Sequence, residues 1–288
     1  MADNPDAGSA GLLRAGLLVG PATAIAVALL VVPLVLLFRY SLNQYDATLL
    51  MVEALTWENY VTFLQDPYYR EVLWVTVLVA ASCTLLCLLF GMPIAYRLAR
   101  MRSRWKSAAM LLVIIPLFIG GAVRTVGWMI LFSRGGLVDS FVSKVSPGTH
   151  FELMYTPAAV VLGLVSIILP FVVLTLQSVF ESIDVRLEEA ASGLGASPAR
   201  THWHIVLPLA MRGVITGGTL SFILCMNAYG TPVLLGGPRF EMMAPLLYYE
   251  FSSNNNWPFA AALAFILMAS TFTLTALAPL VVPKRYRL

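Results

Sequence analysis

The stretch EEAASGLGASPARTHWHIVLP, Glu188 to Pro208, separates two long apolar runs of this 288-residue chain. It contains charged and small residues, two glycines and two prolines, whereas the runs on either side are almost entirely apolar. A backbone interrupted by glycines and prolines is tolerated at membrane depth only where it contacts protein or water. The stretch is therefore expected to lie outside the hydrocarbon core of a membrane. It therefore favours a chain of apolar helices joined by polar loops.

The composition supports a membrane protein. Hydrophobic residues make up 59% of the chain and charged residues 11%, with a mean hydropathy of +0.82, which is too apolar for a soluble surface of this size. The net charge of +3 does not indicate a nucleic-acid partner. Cys83, Cys87 and Cys225 sit inside apolar runs and are expected to pack as small hydrophobes. His202 and His204 have no other ligand at metal-binding spacing, so no metal site is expected.

Six runs reach the length of about 20 apolar residues that a spanning helix needs. They are Ala15–Phe38, Val72–Tyr96, Ala108–Phe132, Pro157–Phe180, Val214–Leu235 and Pro258–Val282. The runs are continuously apolar, whereas barrel strands would alternate, so the predicted fold is an all-α, polytopic bundle of six transmembrane helices. The first run, about 24 residues, is too long for a cleaved signal peptide and is expected to be the first span.

Lys and Arg in the loops predict the orientation, because cytoplasmic loops carry an excess of them. Eleven follow even-numbered spans: Arg97, Arg100, Arg102, Arg104, Lys106, Arg186, Arg200, Arg212, Lys284, Arg285 and Arg287. Five lie on the other side: Arg39, Arg70, Arg134, Lys144 and Arg239.

The expected organisation is a cytoplasmic segment 1–14, a transmembrane domain 15–282 with a cytoplasmic loop 181–211, and a cytoplasmic tail 283–288. The outward segments 39–71 and 236–257 are rich in aromatic and amide residues, which fits interfacial anchors or a docking face.

The loop is predicted to form two short helices. Asp184 can cap a helix from Val185 to about Leu194, Gly195 suits a left-handed end, and Ser197-Pro198 starts a second helix that Pro208 breaks. One apolar face of the first helix comprises Ile183, Leu187, Ala190 or Ala191, and Leu194. Such a face has to be covered by a partner protein or by the bilayer surface.

The spacing inside this loop carries a family resemblance. Glu189-Ala190-Ala191 is followed by three residues and Gly195, then by nine residues, Ile205, one residue and Leu207-Pro208. This is the spacing of the EAA motif, and the chain resembles the permease subunits of binding-protein-dependent ABC importers, most of all the spermidine/putrescine branch. Stretches such as WENYVTFLQDPYY and CLLFGMPIAYRLAR add to the resemblance.

The resemblance implies a type I ABC importer permease of the bacterial inner membrane, with a coupling helix that docks in a groove of a cytoplasmic ATPase. Glu189, Ala190, Ala191 and Gly195 would then contact the ATPase, and Ile205, Leu207 and Pro208 would support that contact. The implied partners are an ATPase dimer, a second permease subunit that is similar but distinct, and an extracytoplasmic solute-binding protein. The implied cargo is a polyamine or a related solute such as an opine or an amino acid derivative.

Catalysis is not expected in this chain. It has no G-x-x-x-x-G-K-[ST] loop to hold nucleotide phosphates, so ATP and its Mg would be bound by the partner ATPase and no cofactor by this chain. An autonomous secondary transporter is the alternative function. Such a carrier would need acidic residues or unwound ion sites within its spans, and the six runs contain no Asp or Glu.

Two of the runs contain features expected of a solute path. Arg124 is a charge within the third run, where burial costs about 2.5–3.5 kcal/mol on insertion scales, and Trp128 follows one turn later. Pro116 and Gly120-Gly121 interrupt the same run. Asn227, Tyr229 and Thr231 interrupt the fifth run. These five polar or aromatic residues, Arg124, Trp128, Asn227, Tyr229 and Thr231, are the candidates for the path. Arg124 has a second possible role, snorkelling to the interface or tying helices together.

Overall fold

The computed structural model describes residues 6–145, 153–238 and 240–281, and most of these residues are helical. The helices are α1 (Asp6–Ser41), α2 (Glu58–Gln65), α3 (Pro67–Arg100), α4 (Trp105–Phe118), α5 (Gly121–Phe132), α6 (Leu137–Val145), α7 (Pro157–Ser182), α8 (Val185–Gly193), α9 (Pro198–Thr201), a π-helical turn (His202–Val206), α10 (Leu207–Met226), α11 (Gly230–Gly236), α12 (Met243–Ser252) and α13 (Trp257–Val281). The predicted tail 283–288 lies outside the described residues.

Five helical segments of the described chain are long and apolar enough to cross a membrane. They are Gly20–Ser41, Pro67–Arg100, Pro157–Ser182, Pro198–Met226 and Trp257–Leu277. A bent pair, Trp105–Phe118 with Gly121–Lys144, makes a sixth when it is counted as one span. The predicted all-α membrane bundle is confirmed.

The third span is not a straight helix from Ala108 to Phe132. Its two parts meet at 94°, and Ile119 and Gly120 between them have extended backbone. Pro116 cannot donate a backbone hydrogen bond, and Gly120-Gly121 gives the chain freedom to turn. The interruption predicted at these residues is therefore confirmed, and it is sharper than a kink.

The fifth span differs from its predicted bounds, Val214–Leu235. The helical segment begins at Pro198 and ends at Met226, where the backbone amide and the side chain of Asn227 both donate to the carbonyl of Ile223. The prediction that Pro208 breaks the helix was wrong. A proline normally clashes with the carbonyl four residues earlier, but here the chain widens into the π-helical turn just before Pro208 and continues.

The core forms where α3 packs along α7 and α10 packs against both. All three cysteines are fully buried there, as predicted for small hydrophobes, and they are free thiols. By contrast, α1 packs on α13 at the edge of the bundle, and its apolar side chains from Ile25 onward are mostly exposed. This helix therefore presents an apolar face that lipid or a neighbouring subunit has to cover.

Gly213 permits a close approach of α10 to α7, and we expect Gly213→Ala to destabilise the bundle. A methyl group at Gly213 would come within 2.6 Å of Val179, which is stiff because it is β-branched. Overpacking of this kind costs about 1–3 kcal/mol. One turn further on, a methyl at Gly217 would make ordinary contacts at 3.7 Å. Thermal denaturation in detergent should therefore show a lower Tm for Gly213→Ala than for the wild type and an unchanged Tm for Gly217→Ala. Equal Tm values for the two variants would contradict this packing.

Candidate coupling loop and solute path

The loop after α7 is built by local capping. The Asp184 carboxylate accepts from the Arg186 amide at 2.9 Å and so starts α8. At the other end, Ala196 donates back to the carbonyl of Ala191, and Gly195 takes a φ of +84°. This is the glycine-based C-terminal turn that the sequence predicts. The Ser197 hydroxyl then caps α9 at the Arg200 amide, also as predicted.

The seven predicted ATPase-coupling residues fall into three groups. Glu189, Ala190 and Gly195 are exposed, and Ala191 is buried. Ile205, Leu207 and Pro208 are partly buried in the continuous helix that runs into α10. The exposed members thus lie on the outer side of α8 and in the turn after it, here called the tip of the loop, whereas Ala191 lies on the inner side of α8. The other three lie in the helix that leads out of the loop. Their contact with an ATPase stays a prediction.

The predicted apolar face of α8 divides into an inner and an outer part. Ile183 and Ala191 are buried, whereas Leu187 is 44% exposed and Leu194 is 90% exposed. Trp203, after the turn, is 65% exposed. Leu187, Leu194 and Trp203 therefore leave apolar surface on the loop, as expected of a docking surface.

Glu188 was not among the predicted site residues, but it makes an inward contact. Its carboxylate accepts hydrogen bonds from Tyr96 at 2.6 Å and from Arg100 Nε at 2.8 Å, and both donors lie in the last turns of α3. Glu188 directly precedes the motif residue Glu189, and the sequence alone offers no sign of which of the two carboxylates turns inward. The last turn of α3 carries two basic residues, Arg97 and Arg100, but their positions do not indicate which carboxylate they meet.

Arg124 lies at the bend of the third span and donates three hydrogen bonds to backbone carbonyls. Its Nη2 donates to Pro116 at 2.6 Å and to Ile119 at 2.9 Å, both at the end of α4. Its Nη1 donates to the carbonyl of Ser166 in α7 at 3.1 Å. That carbonyl lacks its usual helical donor because Pro170, four residues later, has no N–H. Arg124 thus binds carbonyls at the end of α4 and the one that Pro170 leaves free in α7, and it ties α4, α5 and α7 together.

The other predicted path residues occupy different environments. Trp128 donates to the Ser166 hydroxyl at 2.8 Å, next to Arg124. Thr231 is buried, and its hydroxyl lies 3.2 Å from that of Thr125. Asn227 is exposed at the end of α10, and the ring of Tyr229 packs against Tyr248 at 4.9 Å. The structure therefore does not bring all five residues to one surface, and their role in solute passage stays a prediction.

A cavity of about 620 Å³ opens beside α11 and α12. Its lining includes four tyrosines, Tyr155, Tyr229, Tyr248 and Tyr249, and the carboxylate of Glu241. Glu241 accepts a hydrogen bond from Tyr68 near the start of α3. Aromatic faces and a carboxylate are groups that attract an organic cation.

The segment between α1 and α2 is held by its own polar contacts. Asn59 donates to the carbonyls of Ser41 and Asn43 at 2.8 and 2.9 Å, and Tyr45 donates to the carbonyl of Asn254 at 3.2 Å. Hydrogen bonds from the amide of Leu49 and from Thr48 lower the pKa of the exposed Asp46 carboxyl. The backbones of Gln44 and Val52 pair antiparallel, so the segment is a hairpin, which Tyr45 attaches to the loop before α13.

An apolar helical bundle with a capped, exposed loop of EAA spacing defines the class of ABC importer permease subunits. Residues 88–286 match the family model described as the binding-protein-dependent transport system inner membrane component, and the chain belongs to this family. It is therefore a multi-pass membrane protein and a permease subunit of an ABC importer.

Individual relatives agree with this assignment. The chain is 35% identical over 227 residues to the spermidine/putrescine transport system permease protein PotB of Escherichia coli (strain K12), covering 78% of this chain and 82% of that protein. It is 30% identical over 242 residues to PotB of Haemophilus influenzae, covering 83% and 84%. In fold it is similar to a chain of the bacterial alginate ABC transporter solved with an alginate pentasaccharide-bound periplasmic protein. That match has a TM-score of 0.74 at 18% identity and covers 95% of this chain and 94% of the other.

Proposed function

We propose that this chain is one of two permease subunits in an ATP-driven importer of polyamines such as putrescine or spermidine. The observation that carries the proposal is the exposed loop with the EAA spacing, whose tip combines Glu189, Ala190 and Gly195 with uncovered apolar side chains. The cargo class is supported by the relatives named as spermidine/putrescine permeases and by the cavity of tyrosines and one carboxylate.

In this proposal the chain lies in the bacterial inner membrane with both termini in the cytoplasm, as the Lys and Arg distribution favours. The loop 181–211 then faces an ATPase dimer, which binds ATP and Mg and carries out all the hydrolysis. The opposite end, with the hairpin and the cavity, receives the solute from a solute-binding protein. ATP binding would draw the two ATPases together, and the coupling helices would pass that movement to the spans.

The experiment is reconstitution in proteoliposomes, with and without the partners, followed by uptake of labelled putrescine and spermidine. We expect uptake only when the ATPase, the second permease, the solute-binding protein and ATP are all present. Uptake by this chain alone, driven by an ion gradient, would instead establish the secondary transporter.

A ligand screen by calorimetry on the cognate solute-binding protein tests the cargo separately. Its ligands would include polyamines, amino acids, opines and organic anions. Tight binding of putrescine or spermidine supports the proposed cargo, and tight binding of an organic anion overturns it.

A further inference from the structure

The carboxylate of Glu188 is held by two side chains of one other helix. Tyr96 donates to Oε2 at 2.6 Å, and Arg100 Nε donates to Oε1 at 2.8 Å, with Arg100 Nη2 only 2.6 Å from the same oxygen. The side chains of Arg100 and Glu188 are 16% and 15% exposed. A largely desolvated, charge-assisted contact of this kind is stronger and better oriented than a surface ion pair.

Aromatic packing surrounds this contact. The Tyr96 ring packs edge-on against Phe180 of α7 at 5.7 Å and against His202 of the π-helical turn at 4.7 Å. The guanidinium carbon of Arg100 lies 5.9 Å from the centre of the Tyr96 ring. The end of α3 therefore contacts the segments both before and after the loop tip, as well as α8 itself.

The other end of α3 is attached to the opposite side of the bundle. The hydroxyl of Thr76 accepts from the amide of Met243, the first residue of α12, at 2.9 Å, and this contact is buried. Tyr68 donates to Glu241, which lines the tyrosine cavity. With 34 residues, α3 is about 50 Å long at 1.5 Å per residue, so it joins the coupling loop to the cavity wall.

We propose that Glu188, Arg100 and Tyr96 form a latch between α8, the coupling helix, and α3. Movement of α8 then moves α3, and α3 in turn moves the start of α12 at the cavity. This inference rests on the proposed function, because it assumes that an ATPase moves the loop. Glu188 and Arg100 are then positioning residues, which transmit movement and need not touch the ATPase or the solute. The exposed Glu189 beside them is left free for docking.

The test compares Glu188→Gln, Arg100→Met and the double variant Glu188→Arg/Arg100→Glu in the reconstituted complex. A matched control is Lys106→Met, which breaks the more exposed pair with Glu181 at 2.8 Å, where the side chains are 32% and 40% exposed. We expect each single latch variant to keep the ATPase bound but to lose binding-protein-stimulated ATP hydrolysis and uptake by about tenfold. The double variant should recover a large part of both, and the control should behave as wild type.

A second measurement follows the movement itself. Ser253→Cys places a thiol at the exposed rim of the cavity, while the native cysteines are buried. In the otherwise wild-type complex, a non-hydrolysable ATP analogue should change the rate at which a membrane-impermeant maleimide labels this thiol. With Arg100→Met added, that change should disappear.

If the wild-type complex shows ATP-dependent uptake, three results would overturn the latch. They are normal stimulated hydrolysis and uptake in the single variants, loss of the ATPase on purification, or no recovery in the double variant. Loss of the ATPase would make Glu188 a docking residue. A wild-type complex without ATP-dependent uptake would refute the proposed function itself, which distinguishes the two failures.

Discussion

Gly195→Arg is expected to abolish transport while leaving the permease in the membrane. Gly195 is exposed at the tip of the loop with a φ of +84°, and a methyl group there would have no neighbour within 4 Å in this chain. The substitution therefore lowers the free energy of unfolding only through the strain of placing a non-glycine residue in the left-handed conformation, about 1–2 kcal/mol. In the proposed complex, however, a long cation would stand at the surface where we expect the ATPase to dock.

Loss of roughly 3 kcal/mol of docking free energy weakens binding by about a hundredfold, so co-purification of the ATPase and solute uptake should both fall to background. Gly195→Asn is the matched control, because Asn tolerates the left-handed conformation and adds little bulk. It should retain most of the binding and uptake. If Gly195→Arg still captures the ATPase and supports uptake, the tip of the loop is not the docking surface.

Arg124→Leu is expected to lower the stability of the bundle. The substitution leaves the carbonyls of Pro116, Ile119 and Ser166 without the guanidinium that donates to them. The Pro116 carbonyl keeps the Ile119 amide at 3.3 Å, and the bond from Arg124 to Ile119 is exposed, so the loss falls mainly on the Ser166 carbonyl. A buried polar group left unsatisfied costs about 1–3 kcal/mol, which should lower the Tm by about 5 °C. Arg124→Lys should recover only part of this loss, because an ammonium group lacks the planar fork that reaches several acceptors.

The same substitution separates the two roles that the sequence leaves open for Arg124. Arg134→Leu, further along the chain and outside the apolar part of this span, serves as the control and should leave the Tm unchanged. A stable Arg124→Leu protein with altered solute preference would assign Arg124 to the path. A destabilised protein whose residual uptake keeps the wild-type solute preference would assign it to the joint between α4, α5 and α7.

Local features of the loop were predictable because they depend on neighbours in the chain. A cap such as Asp184 or Ser197 bonds to an amide two or three residues away, and Gly195 is needed where the backbone turns left-handed. The apolar spans were predictable for a similar reason, since a membrane selects for uninterrupted apolar length. The exception was Pro208, whose clash with the preceding turn is relieved by a π-helical widening that no proline rule anticipates.

The sequence by itself determined the helical membrane bundle, the caps and turn of the loop, and the EAA spacing that identifies the family. Only the tertiary structure decided that Glu188, and not Glu189, turns inward to Arg100 of α3. It alone decided that Arg124 satisfies the carbonyl of Ser166, which Pro170 leaves free in α7. The physical reason is that Arg100 and Glu188 are 88 residues apart in the chain, and Arg124 and Ser166 are 42 residues apart. Their meeting depends on how α3, α5, α7 and α8 pack, and neither hydropathy nor capping patterns encode that packing.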